Sequence, residues 1–203
     1  MNQVTQLIMA LALALTAGCA LRPSRPSESD PERIAQWQRQ VAVVGALRQW
    51  TATGRVSIRQ GRQGWNAALF WDQAEASFRL RIMAPLAQGT WQIEGTADAV
   101  AMTTPQQEYL LAADVETLLK NQLGWSLPVD GVRYWLTGIP DPTHGYEHLR
   151  LDEAGRLKEL EQGDWHILIQ EYQPVGIYQM PRRLTIERAD LSLRLAVTQW
   201  QIK

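Results

Sequence analysis

From Trp50 onward, apolar and polar side chains alternate along the chain with a period of two. The alternation runs through residues 50–59, 65–71 and 77–84, and it returns at 165–170 and 191–198. Such alternation predicts strands that bury one face and expose the other. Counting the segments predicts ten or eleven short antiparallel strands. A sheet that long curls around its apolar face and encloses either a packed core or a cavity.

Three segments replace this pattern with helical spacing. The first begins at Pro31, with Asp30 as its cap, ends near Gly45, and has its apolar face at Ile34, Trp37, Val41 and Val44. Residues 115–123, capped by Asp114, and residues 128–136, stopped by Gly138, form two shorter amphipathic helices. Because these two interrupt the strands, we expect them to cover one mouth of the curved sheet. In the last strand the apolar parity slips after Val197, which predicts a β-bulge near Thr198 and Gln199.

The N-terminal residues carry a targeting pattern. Nine uncharged apolar residues at 7–15 lead into Thr16-Ala17-Gly18-Cys19, which resembles the lipobox of bacterial lipoproteins. The alternative is an ordinary leader with a chance buried cysteine. The lipobox interpretation divides the chain into a signal peptide (1–18), a lipid-anchored flexible tether (19–30) and a single domain (31–203). It makes Cys19 the lipid attachment site, with an N-acyl and an S-diacylglycerol group, and Ala20 in place of Asp implies export to the outer membrane.

Composition excludes several classes of function. The formal charge of −1 and the lack of a basic cluster argue against nucleic acid as a partner. Cys19 is the single cysteine, so an intramolecular disulfide is excluded. After it, no apolar segment is long enough to cross a membrane as a helix. Nine tryptophans against two phenylalanines suit a cavity wall, a membrane interface or a plain core, and the plain core is the default.

The segment 84–89 leaves the strand pattern as a loop. Pro85 cannot donate to a strand ladder, and Gly89 permits a positive φ. Leu86 therefore lies near a loop tip with no charged neighbour between Arg81 and Glu94. From the residues alone, Leu86 either tucks back against the body or projects from it.

Catalytic and metal-binding patterns are missing from the sequence. It contains no Gly-x-Ser-x-Gly elbow, phosphate-binding loop or metal-spaced Cys/His cluster. Of the three histidines, His144 and His148 lie in a Pro/Gly-rich stretch and His166 alternates outward on a strand. The acids Asp141, Glu147 and Glu153 are scattered over turns and strand starts. We therefore predict a protein that is not an enzyme, with no catalytic residues, no metal and no cofactor.

A series of short motifs, each weak by itself, is specific in its order and spacing. The motifs are Trp50-x-x-x-Gly54-Arg55, Trp71-x-Gln73, Pro85-Leu86, Leu118-Leu119-x-x-x-Leu123-Gly124, Leu127-Pro128-Val129, Tyr134-Trp135-Leu136-x-Gly138-x-Pro140, Gly163-x-Trp165-x-Ile167 and Met180-Pro181. In this arrangement the chain resembles the LolB family. These are outer-membrane lipoprotein receptors that take lipoproteins from the periplasmic carrier LolA and place them in the membrane.

The resemblance implies a mainly β fold with inserted helices, in which a curved antiparallel sheet forms an incomplete barrel with a helical lid over an apolar cavity. It implies a membrane-insertion loop at Pro85 and Leu86, with the leucine projecting into lipid. The implied partners are LolA, acylated lipoprotein cargo and outer-membrane phospholipid. The implied state is a monomer, anchored in the outer membrane and facing the periplasm.

Inward strand faces and the lid supply the candidates for an acyl-chain cavity. These are Trp50, Val56, Leu69, Phe78, Leu80 and Ile82 on the sheet, with Trp135 and Leu136 on the lid. Two other functions remain open from the residues alone. A structural or assembly lipoprotein would have a filled β core, and a lipid-modifying enzyme would need a perturbed acid or histidine in the lumen.

Overall fold

The computed structural model describes residues 31–85, 89–96 and 99–203. Within these ranges eleven antiparallel strands form one sheet in the order β6-β5-β4-β3-β2-β1-β11-β10-β9-β8-β7. The sheet curves without closing, because its edge strands β6 and β7 do not pair with each other. The strands are β1 Gln49–Gln60, β2 Gln63–Ala74, β3 Ser77–Met83, β4 Thr90–Gly95, β5 Val100–Thr103, β6 Tyr109–Ala112, β7 His148–Leu151, β8 Leu157–Gln162, β9 Trp165–Val175, β10 Tyr178–Arg188 and β11 Leu191–Ile202. The predicted incomplete antiparallel barrel is confirmed.

Three helices lie in the described ranges: α1 Pro31–Gly45, α2 Val115–Leu123 and α3 Val129–Thr137. The Asp114 carboxylate caps α2 by accepting the Thr117 backbone N–H at 2.7 Å. Gly124 and Gly138 end α2 and α3 in the left-handed conformation, at φ 80° and 87°. Residues 115–137, comprising α2, α3 and the linker between them, cover the concave face of the sheet and are called the lid below.

The central strands owe their alternation to one buried face. Along β1 the side chains of Trp50, Ala52, Val56 and Ile58 are buried, and β2 and β11 pair with β1 on either side. The pairing of β1 with β11 shifts after Thr53, which leaves Thr198 as the extra residue and confirms the predicted bulge. At this point a Cβ on Gly54 would lie 2.2 Å from the Ala196 carbonyl oxygen, so only glycine fits.

The first helix is confirmed, but its predicted apolar face is wrong in part. Ile34 is 39% exposed, whereas Val44 and, unexpectedly, Arg33 are buried. The reason is that α1 packs near strand turns outside the lid, where it makes polar contacts. The Gln40 side chain donates to the Gln179 carbonyl at 3.0 Å. Gly155 packs so closely on α1 that a Cβ added to it would lie 2.8 Å from the Arg33 carbonyl oxygen.

A proline, Pro181, occurs inside β10, three residues after the strand begins at Tyr178. Pro181 lies at a shift in the pairing of β10 with β9. Such an irregularity tolerates a residue without an N–H, because the ladder is already interrupted there.

Gln162 at the end of β8 fixes the chain that follows α3. Its side-chain oxygen accepts the Trp135 indole N–H at 2.7 Å and the Asp141 backbone N–H at 3.0 Å. Its side-chain nitrogen donates to the carbonyls of Asp141 and His144, both at 2.9 Å. Gln162 is 3% exposed, so these four bonds satisfy groups that water does not reach.

We expect Gln162→Leu to lower the free energy of unfolding by about 2 to 4 kcal/mol, because the Trp135 and Asp141 N–H groups would lose their acceptor while remaining buried. Urea denaturation followed by tryptophan fluorescence measures the change. Gln170→Leu is the matched control, since the exposed Gln170 bonds only to Thr185 in the described structure. Equal stability of the two variants would contradict the role of this network.

Candidate functional site

A small apolar cavity lies between the concave face of the sheet and the lid. Its volume is about 30 Å³, the space of about one water molecule. The sheet contributes Val56, Ile58, Leu69, Trp71, Leu80, Ile82, Leu193 and Leu195 to its wall, and the lid contributes Leu119, Trp125, Leu127, Val129 and Val132. The wall is apolar except for the indole N–H groups of its two tryptophans, Trp71 and Trp125, and that of Trp71 donates to the Gln73 side-chain oxygen at 3.0 Å.

Strand register explains why the sheet residues of this wall form one continuous surface. Val56 pairs with Ala67 on β2 and with Leu195 on β11. One step further along, Leu69 pairs with Ile82 on β3. Directly opposed residues share a face of the sheet, so four strands present their apolar side chains to the lid together.

An open groove of about 510 Å³ adjoins this cavity and is called the entrance groove below. The cavity and the groove share three wall residues, Ile58, Ile82 and Trp125. The remaining wall of the groove is formed by Gly64, Trp65, Asn66, Ala67, Ala84, Pro85, Trp91, Gln122 and Leu123. An apolar path therefore leads from the loop after β3 toward the interior, and the buried Trp125 stands between its two parts.

The loop beside the entrance groove is tied at its base. Ala84 donates its backbone N–H to the Gly89 carbonyl at 3.1 Å. Gly89 has a φ of 99°, as predicted, and a Cβ there would lie 2.3 Å from Pro105. Pro85 is exposed at the start of the loop. Leu86, the predicted membrane-insertion residue, lies outside the described residues, as do the predicted signal peptide, the predicted tether and the predicted lipid attachment site Cys19.

A polar contact holds the linker of the lid to the sheet. The Arg188 guanidinium donates to the carbonyl of Ser126 at 3.3 Å and to its hydroxyl at 3.0 Å. The same guanidinium lies 4.4 Å above the ring of Trp165. Ser126 directly follows Trp125, so this contact fixes the chain next to the residue that separates the cavity from the entrance groove.

The structure brings four of the eight predicted cavity residues together around the cavity: Val56, Leu69, Leu80 and Ile82. Trp50 lies instead at the far end of β1, with ring centroids 5.7 Å from Trp71 and 5.3 Å from Trp200. Phe78 also packs there, 6.2 Å from Trp71. Large aromatic side chains pack at that end of the sheet, where Trp50 and Phe78 line two separate grooves of about 420 and 450 Å³ instead of the apolar cavity.

The two predicted lid residues also lie outside the cavity wall. Trp135 packs on Trp165 at 5.8 Å and bonds to Gln162, and Leu136 is fully buried. The lid residues that do line the cavity are not among the eight predicted cavity residues. Leu119, Leu127 and Val129 occur in the family motifs, but nothing in the sequence pattern marked Trp125 in the linker.

The titratable groups near the lid serve structural roles. Arg150 and His166, which bond to Glu159, hold the pKa of that carboxyl below its usual range. Burial would raise the pKa of Asp141, but hydrogen bonds from Thr143 outweigh it and keep that pKa low. Burial raises the pKa of the Tyr172 phenol, which donates to the Leu157 carbonyl at 2.7 Å. The carboxyls of Glu159 and Asp141 are thus ionised, and the Tyr172 phenol is neutral, at neutral pH.

Nowhere in residues 31–85, 89–96 and 99–203 do three or more His, Cys, Asp or Glu side chains come together in a way that could hold a metal ion. Over the same residues, no helix is both long and apolar enough to cross a bilayer.

Solved structures with a similar fold share little sequence identity with this chain. A putative outer membrane lipoprotein-sorting protein domain from Vibrio parahaemolyticus superposes with a TM-score of 0.54 at 8% identity, over 84% of this chain and 92% of that one. A LolA superfamily protein from Nitrosomonas europaea gives a TM-score of 0.51 at 7% identity, over 83% and 92% of the two chains. At such low identity these structures establish the fold alone.

Comparisons of the sequence are closer. The family model for outer membrane lipoprotein LolB matches residues 48–200. The outer-membrane lipoprotein LolB of Nitrosococcus oceani is 36% identical over 96% of both chains. That of Stutzerimonas stutzeri is 30% identical over 99% of this chain and 97% of the relative. With the curved sheet and the lidded apolar interior in place, the chain belongs to the LolB family of outer-membrane lipoproteins.

Proposed function

We propose that the protein accepts acylated lipoproteins from the periplasmic carrier LolA in its apolar interior and inserts them into the inner leaflet of the outer membrane. Family membership supports the role of an outer-membrane lipoprotein receptor. The observation that carries the proposal is the apolar path from Pro85 through the entrance groove to the cavity. The proposed transfer uses binding alone, with no catalytic group, cofactor or nucleotide.

The energetics of acyl chains explain why such a receptor is needed. Each methylene removed from water contributes about 0.8 kcal/mol, so a long acyl chain does not cross an aqueous compartment unshielded. Inside this protein the concave face of the sheet would shield the acyl chain. The lid must first withdraw from that face, because a cavity of about 30 Å³ is far too small for the acyl chain. An acyl chain would then replace lid side chains of similar polarity on the sheet.

The small cavity by itself fits the alternative, a structural or assembly lipoprotein with a filled core. Membership of the LolB family does not favour that alternative. The two functions differ in whether the interior opens, and a transfer experiment separates them. The mature chain carrying Cys19→Ala is mixed with an acylated lipoprotein preloaded on LolA, and the cargo is followed by pull-down. Cargo moving to this protein without nucleotide supports the receptor, whereas cargo that stays on LolA contradicts it.

Arg188→Gln is expected to speed uptake of a fluorescent acyl probe roughly tenfold to a hundredfold, because charge-assisted hydrogen bonds that hold the lid closed contribute about 1.5 to 3 kcal/mol. Stopped-flow fluorescence measures the rate. Arg182→Gln on the same strand is the control, since Arg182 pairs with Glu171 and does not contact the lid. An unchanged rate for Arg188→Gln would show that the Ser126 contact does not restrain the lid.

Leu86→Glu is expected to leave cargo acceptance intact and to block insertion, because a carboxylate in the acyl region costs about 2.5 to 3.5 kcal/mol. Transfer of labelled cargo from the protein to liposomes measures insertion. Ile177→Glu is the matched control: Ile177 is 84% exposed in the β9–β10 turn, at the opposite end of the sheet. Normal insertion by Leu86→Glu would refute the role of this loop.

Cys19→Ala is expected to release the protein into the periplasm, because no acyl group can then be attached at residue 19. Cell fractionation followed by immunoblotting measures the distribution. Acceptance of cargo by the released form should be unchanged, since residue 19 is not among the residues that line the cavity or the entrance groove. If that form cannot accept cargo, the anchor and the receptor are not separable.

A further inference from the structure

The outer face of the sheet carries a second groove, of about 860 Å³, on the side opposite the lid. We call it the basic groove. Its outward-facing wall residues come from the central strands: Arg55, Ser57, Asn66, Ala68, Met83, Gln170, Arg183, Thr185, Arg194 and Ala196. At one end the wall continues into Ala84 and Pro85, the start of the loop proposed to enter lipid.

Strand register explains why a depression forms on this face. Ala196 on β11 pairs with Arg55 on one side and with Arg183 on the other. Arg194 is two residues before Ala196, so its side chain emerges on the same face. On the other side of β1, Ala68 of β2 pairs with Arg55. Small side chains thus form the floor, and three long arginines stand around Ala196.

The charge of the basic groove is largely uncompensated. No Asp or Glu contributes to its wall. Arg183 pairs with Glu171 at 3.1 Å. Neither Arg55 nor Arg194 forms an ion pair with any residue that the structure describes. Arg55 and Arg194 lie on the adjacent strands β1 and β11 at diagonal positions, so an anion bound between their guanidinium groups would reduce the repulsion between them.

We propose that the basic groove binds the phosphate of a membrane phospholipid head group. Guanidinium groups match phosphate in charge and geometry. The choice of a phospholipid rests on the proposed function, because the groove runs into the segment that would enter the bilayer. Met83, which is 43% exposed beside Pro85, adds apolar contact at that end. The outer face of the central strands then lies against the membrane surface while the loop reaches into it.

The test uses the full mature chain with Cys19→Ala, so that no acyl anchor contributes, and vesicles of phosphatidylethanolamine and phosphatidylglycerol. Sedimentation with the vesicles measures binding. Arg55→Gln with Arg194→Gln is expected to weaken binding about 25-fold, since each arginine near an anionic surface contributes about fivefold. Arg39→Gln is the matched control, because Arg39 is an exposed arginine on α1 whose guanidinium bonds to Gln36. It should change binding less than about twofold.

Further variants and measurements show whether a change in vesicle binding comes from the basic groove. Arg55→Lys with Arg194→Lys should largely restore binding, and thermal melting should show that all variants fold. Equal vesicle binding by the double Gln variant and by Arg39→Gln would overturn the proposal. Displacement of the protein from vesicles by inorganic phosphate at equal phosphate concentration would also overturn it, in favour of a site for free phosphate. Cargo acceptance from LolA is measured in parallel, so a failure of the proposed receptor function is seen separately from a failure of head-group binding.

Discussion

The apolar contact between the lid and the concave face of the sheet supports the rest of the structure. An eleven-stranded sheet whose edges do not pair leaves a large apolar surface that water would otherwise reach. The lid covers it with buried side chains such as Leu119, Val132 and Leu136. Burying each such side chain stabilises the fold by about 1.5 to 3 kcal/mol. The directional bonds between lid and sheet described above are those of Trp135 with Gln162 and of Arg188 with Ser126. The apolar contact over the cavity is not directional, so another apolar body of suitable shape can replace the lid there.

The possibility of replacing the lid with another apolar body connects the fold to the proposed function. An acyl chain that enters the interior exchanges lid-to-sheet contacts for chain-to-sheet contacts, so the net free energy of loading is small compared with that of burying the chain from water. Because the net free energy of loading is small, the cargo can leave again for a bilayer. The bilayer offers the acyl chain an apolar environment without displacing a lid. The Arg188 contact with Ser126 adds a modest preference for the closed form.

Much of this architecture can be predicted from the sequence, because strands with one buried face produce a period of two. The alternation at Trp50 to Ile58, the bulge near Thr198 and the cap at Asp114 are local signals, and the structure confirms all three. The face of α1 was predicted less well. Trp37 packs against the core as its spacing predicts, but the apolar spacing did not reveal that the turn at Gly155 lies beside Arg33.

The candidate site was predictable only in part, since a cavity depends on how elements meet. The parity of each strand identifies Val56, Leu69, Leu80 and Ile82 as inward residues, but it does not say at which end of the sheet space remains. Trp50 and Phe78 have the same parity and yet pack at the opposite end in aromatic contacts. Trp125 lies in a linker, where no periodicity indicates burial.

The central claim is that an acyl chain occupies the interior in place of the lid. The most direct measurement loads the protein with a lipoprotein whose acyl chain carries a photoreactive group, irradiates it and maps the attached residues by mass spectrometry. The account predicts attachment to inward residues such as Val56, Leu69 and Leu193. Attachment confined to the outer face or to the exposed rim of the entrance groove would contradict it.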